Sequence, residues 1–497
     1  MADNFSHIRA AAIDERCHNV FYRQTQLERL SKALIDKSSD IRQAIATDYG
    51  YTPAEVAIEL HLALGAVKRD YASLQPKEAH EEEYLIAVGK DAKSIRKPAG
   101  IVYIEPCKHT LFYSVVVPLS AAIAAGNCVI VLVSSVFMYS DQAYANQMLQ
   151  LENNLRALSG VLRQILPAAL DRETFAIASS SVKDQSLLDS AIHVNQNSDE
   201  RSPRANQLAS SSRSRTVAVI DRTADVQLAA RELVAARFGF GGRSPYAPDL
   251  VLVNEFSKQA FLQAVVSECV KKGEVRGKTA TSGNVNKEID ILKKADSGLR
   301  VILQEPSMAV VDLPSRKHDR LTEKMDAPIL AVHAIRSLDD AIDLISQAST
   351  GPYLAAYHFS NPATGKYLTQ FVDARISFVN NIPRDILIGP AFPESHQINP
   401  AVRYSVESFS VARPAFIQSP RSATLFDTAL ASTSNAAVTK LLVEATTPLS
   451  VKKRSPGGGV GYFEQGFLYG AAILLGTIVS VSGVGIYYFA KHGRRWW

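Results

Sequence analysis

Cysteine and tryptophan are scarce in this 497-residue chain, with four and two copies, and each scarcity excludes something. Cys17, Cys107, Cys128 and Cys269 stand far apart, with neither metal-ligand nor paired spacing. That argues against a zinc module or a disulfide-stapled secreted domain and suits a reducing compartment. The opening residues, Met1 to Arg9, hold no apolar run, so a cleaved secretory signal is not expected. No charge sign dominates: a net +5 spread along the chain does not suggest nucleic-acid binding. Glycine is missing from Asn195 to Arg215, and charge is missing altogether from Gly466 to Ala490.

What is present begins with size. A chain of 497 residues predicts two or three domains, and 46% hydrophobic content is enough for sizeable cores. The 25 uncharged residues near the C-terminus are rich in Ile, Leu, Val, Phe and Tyr. At ~1.5 Å rise per residue they can cross a hydrocarbon core of about 30 Å. Lys491, Arg494, Arg495 and the pair Trp496-Trp497 close one end, while Lys452-Lys453-Arg454 and Tyr462 precede the other, as membrane interfaces require. A buried core helix is the alternative, and the flanks favour a single C-terminal anchor. Gly466 and Gly470 form a GxxxG, which so near the helix end is weak evidence for pairing.

Residues 5 to 77 read as helices, with Leu27, Leu30, Leu34 and Ile41 at helical spacing and a second periodic run from Ala54 to Leu74. Glu78 to Glu83 reads as a solvated connector. Gly100 to Thr110 is a strand entering a turn, and Val117 to Val131 reads as a small-residue helix, a Gly126-Asn127 break and a buried strand. Helical and apolar segments continue from 134 to 195. The Ser- and Arg-rich stretch Asn195 to Arg215 reads as a flexible surface loop, with RNA contact or phosphorylation as alternatives. Val217 to Asp221 is a strand, and Asp225 to Phe238 a helix with Leu228, Ala229, Leu233 and Ala236 on one face.

The next stretch, Phe238-Gly-Phe-Gly-Gly-Arg-Ser-Pro-Tyr-Ala-Pro-Asp249 before Leu250-Val-Leu-Val253, resembles the catalytic loop of aldehyde dehydrogenases. Pro118-Leu-Ser-Ala-Ala-Ile-Ala-Ala-Gly-Asn127 is similar to another segment of that family, and Ser405-Val-Glu-Ser-Phe-Ser410 to a terminal one. The resemblance runs from about residue 5 to 416 and is greatest to the class 3 and fatty aldehyde dehydrogenases. It implies an α/β fold: a Rossmann-like cofactor domain over 1–210, a catalytic-type α/β domain over 211–390, and a bridging, dimer-forming arm over 391–416. A linker over 417–465 and a transmembrane helix over 466–490 complete this reading.

The resemblance also assigns chemistry, and there this chain departs from the family. Such an enzyme needs a thiolate nucleophile, oxyanion donors, a nicotinamide cofactor and a base that activates water. The cysteine position is Pro245, without a nucleophile or an N–H. The Asn donor position falls on Lys108 and the general base on Ser211. The cofactor-binding Lys-Pro-Ser-Glu falls on Leu132-Val-Ser-Ser135, and the Glu that holds the nicotinamide ribose falls on Lys324, with Glu323 one residue away. Cys107 and Ser244 are candidates for a displaced nucleophile, and Lys108-His109 for a Schiff-base site. The blander alternatives are a buried apolar Cys107, a turn-forming Ser244 and a partly exposed turn.

The implied protein is a membrane-tethered relative of fatty aldehyde dehydrogenases with lost or strongly reduced NAD- or NADP-dependent oxidation. The alternatives are an active oxidoreductase acting on an apolar or fatty aldehyde, and a membrane scaffold. Its implied partners are a membrane, an apolar aldehyde or lipid and a second copy of itself. The bulk of the chain is expected to face the cytosol from the endoplasmic reticulum.

Overall fold

A computed structural model of the chain describes residues 5–133, 156–198, 204–211, 213–276, 283–295, 298–316, 324–325, 327–348, 351–394, 396–417, 419, 423–431, 435–450, 452 and 461–492. Within it the short apolar runs become buried parallel strands. The first edge strand is β1 (Arg96–Pro98). It is followed by β2 (Ile101–Glu105), β3 (Cys128–Leu132), β4 (Phe175–Ala178), β5 (Ile192–Ser198) and β6 (Gln207–Ser211). Strands β2 to β6 form one parallel sheet in the order β4-β3-β2-β5-β6. The next seven strands are β7 (Thr216–Ile220), β8 (Leu250–Asn254), β9 (Arg300–Glu305), β10 (Met308–Asp312), β11 (Ile329–Ile335), β12 (Ala355–Phe359) and β13 (Ser377–Val379). They form a second sheet in the order β13-β12-β7-β8-β11-β10-β9, in which β9 alone runs antiparallel. Parallel strands covered on both faces read as unbroken apolar runs, as Leu250-Val-Leu-Val253 does. A last strand, β14 (Ser410–Ala412), pairs antiparallel with β1 in a separate two-stranded sheet.

Helix Leu111–Ala125 is buried along its whole length. It packs on helices Val20–Asp36 and Pro53–Ala72, which explains its run of small and apolar residues. It ends at Gly126, where φ is +91° and a Cβ would stand 2.9 Å from the Pro98 side chain. The Asn127 side chain then accepts the Gly100 N–H at 2.9 Å and donates to the carbonyls of Ala122 and Phe409. Thr52 caps the Pro53–Ala72 helix reciprocally with Glu55, so the Tyr-Thr-Pro turn is a capping box.

Three expectations need correction. The described residues of 195–215 are not a surface loop throughout: they carry the end of β5 and all of β6, with Gln196, Ser198, Gln207 and Ser210 buried. Their polarity is compatible with burial because partners are internal: Gln196 accepts the Cys107 N–H at 2.9 Å and donates to the Ser114 carbonyl at 2.8 Å. The acidic connector is an exposed helix, Pro76–Glu83, started by a proline whose missing N–H costs nothing in the first turn. The linker contains helices Ala423–Ala431 and Asn435–Thr446.

Those two helices belong to a second compact unit, Ser419–Trp497, separate from Met1–Gln418. That unit ends in helix Tyr462–His492, whose stretch Glu464–Tyr487 is long and apolar enough to cross a membrane and is not buried within the fold.

Candidate active site

The loop between helix Val226–Phe238 and β8 is built on backbone shapes that few residues adopt. Phe240, Gly241 and Gly242 all have positive φ. A Cβ on Gly242 would lie 2.8 Å from the Pro328 side chain and 2.9 Å from the Arg237 carbonyl, so only glycine fits. Phe240 is held from the other side: its N–H donates to Glu55 Oε1 at 2.9 Å and its ring meets Tyr51 edge-on. Under the loop, the fully buried Arg237 donates to the carbonyls of Met325, Ala327 and Pro248 and stands 3.7 Å from Asp249. Asp249 also accepts the N–H groups of Thr216 at 2.8 Å and Met325 at 3.0 Å. A buried charge survives only when so compensated.

Within the loop the polar groups are taken up locally. Ser244 is buried, its Oγ accepts the Tyr246 N–H at 3.2 Å and its carbonyl accepts the Ala247 N–H. Pro245 is half-buried and its carbonyl accepts from Lys324 Nζ at 3.2 Å. The same ammonium donates to the Ser214 carbonyl at 2.7 Å and lies 3.5 Å from Asp249 Oδ2. Ser211 closes β6, and its Oγ accepts the Ser214 N–H at 3.2 Å.

The turn after β2 carries the remaining candidates. Tyr49 donates to the Lys108 carbonyl at 2.6 Å, and Thr110, with φ +49°, accepts the Gly389 N–H at 2.7 Å. Cys107 is buried, with its Sγ 3.1 Å from both the His109 carbonyl and Ser114 Oγ. Burial pushes its thiol up to about 11. Burial likewise pushes His109 down to about 4, with its Nε2 against the Leu387 carbonyl at 2.8 Å. Arg403 stands close to both the loop and the turn. It stacks 4.0 Å from the Phe392 ring centre and 5.3 Å from that of Tyr246, donates to the carbonyls of Ile386, Ile388 and Pro390, and lies near enough to Cys107 and His109 to bias both.

Residues 9–288, more than half of the chain, match the aldehyde dehydrogenase family. The chain belongs to that family. It is 24% identical over 411 residues to 4,4'-diaponeurosporen-aldehyde dehydrogenase of Staphylococcus aureus, an alignment covering 76% of this chain and 84% of that protein. With aldehyde dehydrogenase family 3 member A2 of Mus musculus it shares 22% identity over 458 residues, 83% of this chain and 87% of the relative. The fold is that of the solved Staphylococcus aureus AldH in its substrate-bound state, at a TM-score of 0.64 and 18% identity over 84% of this chain and 94% of that one.

Against the family's chemistry, the two candidate nucleophiles are poorly placed. Cys107 is a buried, protonated thiol directed at a carbonyl, and its neighbour His109 spends its Nε2 on Leu387. Ser244 is engaged within its own turn. Two of the residues expected around the cofactor, Leu132 and Lys324, are chemically unlike the groups the resemblance expects there. Leu132 offers no hydrogen-bonding side chain, and the Lys324 ammonium already holds two carbonyls beside Asp249. Ser135 and Glu323 lie outside the described residues, and among the described residues of 195–215 no helix opens that would receive a pyrophosphate. Among the described residues no group of three or more metal-ligating side chains exists either. Sequence reasoning missed Arg403, whose surroundings in Asn399-Pro-Ala-Val-Arg403 carry no motif. It also missed that Lys324 reaches Pro245, and that Glu59 lies fully buried with its Oε1 accepting the Tyr113 N–H. A carboxylate in phase with Val56 and Ala63 was the available signal for Glu59.

Proposed function

We propose that this chain is a membrane-anchored aldehyde dehydrogenase family member that no longer performs NAD(P)-linked aldehyde oxidation efficiently and serves as a binder of an apolar aldehyde or lipid, or as an accessory factor. The observation that carries the reading is Pro245 in the loop, its carbonyl held by Lys324 at 3.2 Å. Proline supplies neither a thiolate nor an oxyanion-donating N–H, and one such donor is worth roughly 100–1000-fold in rate. Loss of the nucleophile costs more still, although such losses do not add. Ser211, a hydroxyl in the place of a carboxylate, is no base of comparable strength. The C-terminal helix holds the rest of the chain on the cytosolic face of a membrane, the endoplasmic reticulum by resemblance to fatty aldehyde dehydrogenase. The arm over 391–416 joins two copies.

The test is calorimetric titration of NAD and NADP into the detergent-solubilised full chain, followed by an assay of NADH or NADPH production from medium- and long-chain aldehydes. Absence of binding at millimolar cofactor is expected. Turnover at about 1–1000 per second, the usual enzymatic range, would overturn the proposal. If such turnover vanished in Cys107→Ala or Ser244→Ala, a relocated nucleophile would be the explanation.

A further inference from the structure

The four cysteines lie far apart in sequence, but the fold brings two of them together. Cys17 lies in the short turn Arg16–His18 and Cys128 opens β3; both are buried, and their Sγ atoms are 3.7 Å apart. Their backbones are fixed. The Cys17 carbonyl lies so near Gly126 that a Cβ there would stand 3.0 Å from it, and the Cys128 N–H donates to Gly100 at 2.9 Å. Arg23 spans the junction, donating to the carbonyls of Ala124 and His18 at 2.9 Å each. We propose that Cys17 and Cys128 are a redox-modification site, converted by hydrogen peroxide into an intramolecular disulfide that fastens the N-terminal segment to the first sheet.

A disulfide needs its sulfurs at about 2.0 Å, so the pair must close by less than ~2 Å. Travel of that size is on the scale that rotation of two cysteine side chains supplies. Cys17 is the more exposed of the two and borders a small crevice shared with Tyr22, Arg23 and Thr174. Of the two sulfurs, Cys17 is the one that lines the crevice, so it is the group that meets peroxide first and attacks. Its thiolate attacks one peroxide oxygen, the O–O bond breaks, and the departing hydroxide takes up a proton as the first water. The Cys128 sulfur then displaces the hydroxyl from the resulting sulfenic acid, which leaves with the Cys128 proton as the second water. Two thiols are oxidised and one peroxide is reduced. Cys107 and Cys269 act as internal controls, because burial pushes their thiols up to about 11 and about 12.

The experiment treats the full chain in detergent micelles with hydrogen peroxide, alkylates the remaining thiols and maps the non-reduced peptides by mass spectrometry. The peptide carrying Cys17 is expected to be joined to the peptide carrying Cys128 and released by dithiothreitol, with Cys107 and Cys269 recovered alkylated. Cys17→Ser and Cys128→Ser should each abolish the linked species. The proposal is overturned if both cysteines of the treated wild-type chain are recovered as alkylated thiols or as unlinked sulfinic and sulfonic acids. It is equally overturned if either is joined to a different cysteine or to a second chain. The wild-type result decides the question whether or not the serine variants fold.

Discussion

Glu59→Gln isolates the titration of one fully buried carboxyl. The carboxyl is completely buried in helix Pro53–Ala72, with one oxygen accepting the Tyr113 N–H at 3.3 Å and the other without a partner. Burial pushes it from 4.5 up to about 8, against the opposing pull of the Tyr113 and Phe112 N–H groups. Tyr49, Tyr51 and Cys107 face it, and all three stay protonated through the neutral range, so they contribute no slope there. The folded state therefore keeps a proton that the unfolded chain gives up near 4.5. The resulting stabilisation is complete below 4.5 and disappears as pH rises through about 8. At about 1.4 kcal/mol per pH unit the whole swing is roughly 4–5 kcal/mol, of which about 2 kcal/mol falls between pH 6 and pH 8. Urea unfolding of the detergent-solubilised chain, followed by circular dichroism at those two pH values, measures it. Buried His109 and His358, both pushed down to about 4, gain stability over the same interval in either protein, so the test is a difference. Glu59→Gln keeps an oxygen for Tyr113 and cannot ionise, and from pH 6 to pH 8 the wild type should lose about 2 kcal/mol relative to it. Equal pH dependence in the two proteins would refute the argument.

Two further predictions concern the loop. Lys324→Met leaves the carbonyls of Ser214 and Pro245 without their shared donor and removes a cation from Asp249, so it should destabilise the protein by about 2 kcal/mol, seen as a fall in melting temperature. An unchanged melting temperature would mean that the clamp contributes nothing. Gly242→Ala forces a Cβ to within 2.8 Å of Pro328 at a φ of +71° and should cost about 2–3 kcal/mol in the same assay. Gly239→Ala, where φ is negative and nothing stands within 4 Å, should cost under about 1 kcal/mol.

Local signals in the sequence were reliable where the chain's shape is set locally. The buried apolar runs, the Gly126-Asn127 break and the uncharged C-terminal helix were all legible, because each depends on neighbours a few residues away. Strands β5 and β6 were not, since burial of a polar side chain there depends on partners remote in sequence, as with Gln196 and Ser114, 82 positions apart. The Cys17–Cys128 contact spans 111 positions and the Lys324–Pro245 contact 79, beyond any spacing rule. The candidate site divides along the same line. Residues that shape the backbone, Gly242 and the Pro248-Asp249 pair under Arg237, keep the family's pattern and are held by contacts that no chemistry requires. The positions where the resemblance expects reactive groups carry Pro245, Ser211 and Lys324, and their polar atoms are bonded to one another's surroundings: Lys324 to Ser214 and Pro245, and Ser211 to Ser214. A loop whose lysine, carbonyls and turn serine are paired internally gains stability from those bonds without a thiolate or a cofactor. The fold can therefore persist whether or not the old reaction does.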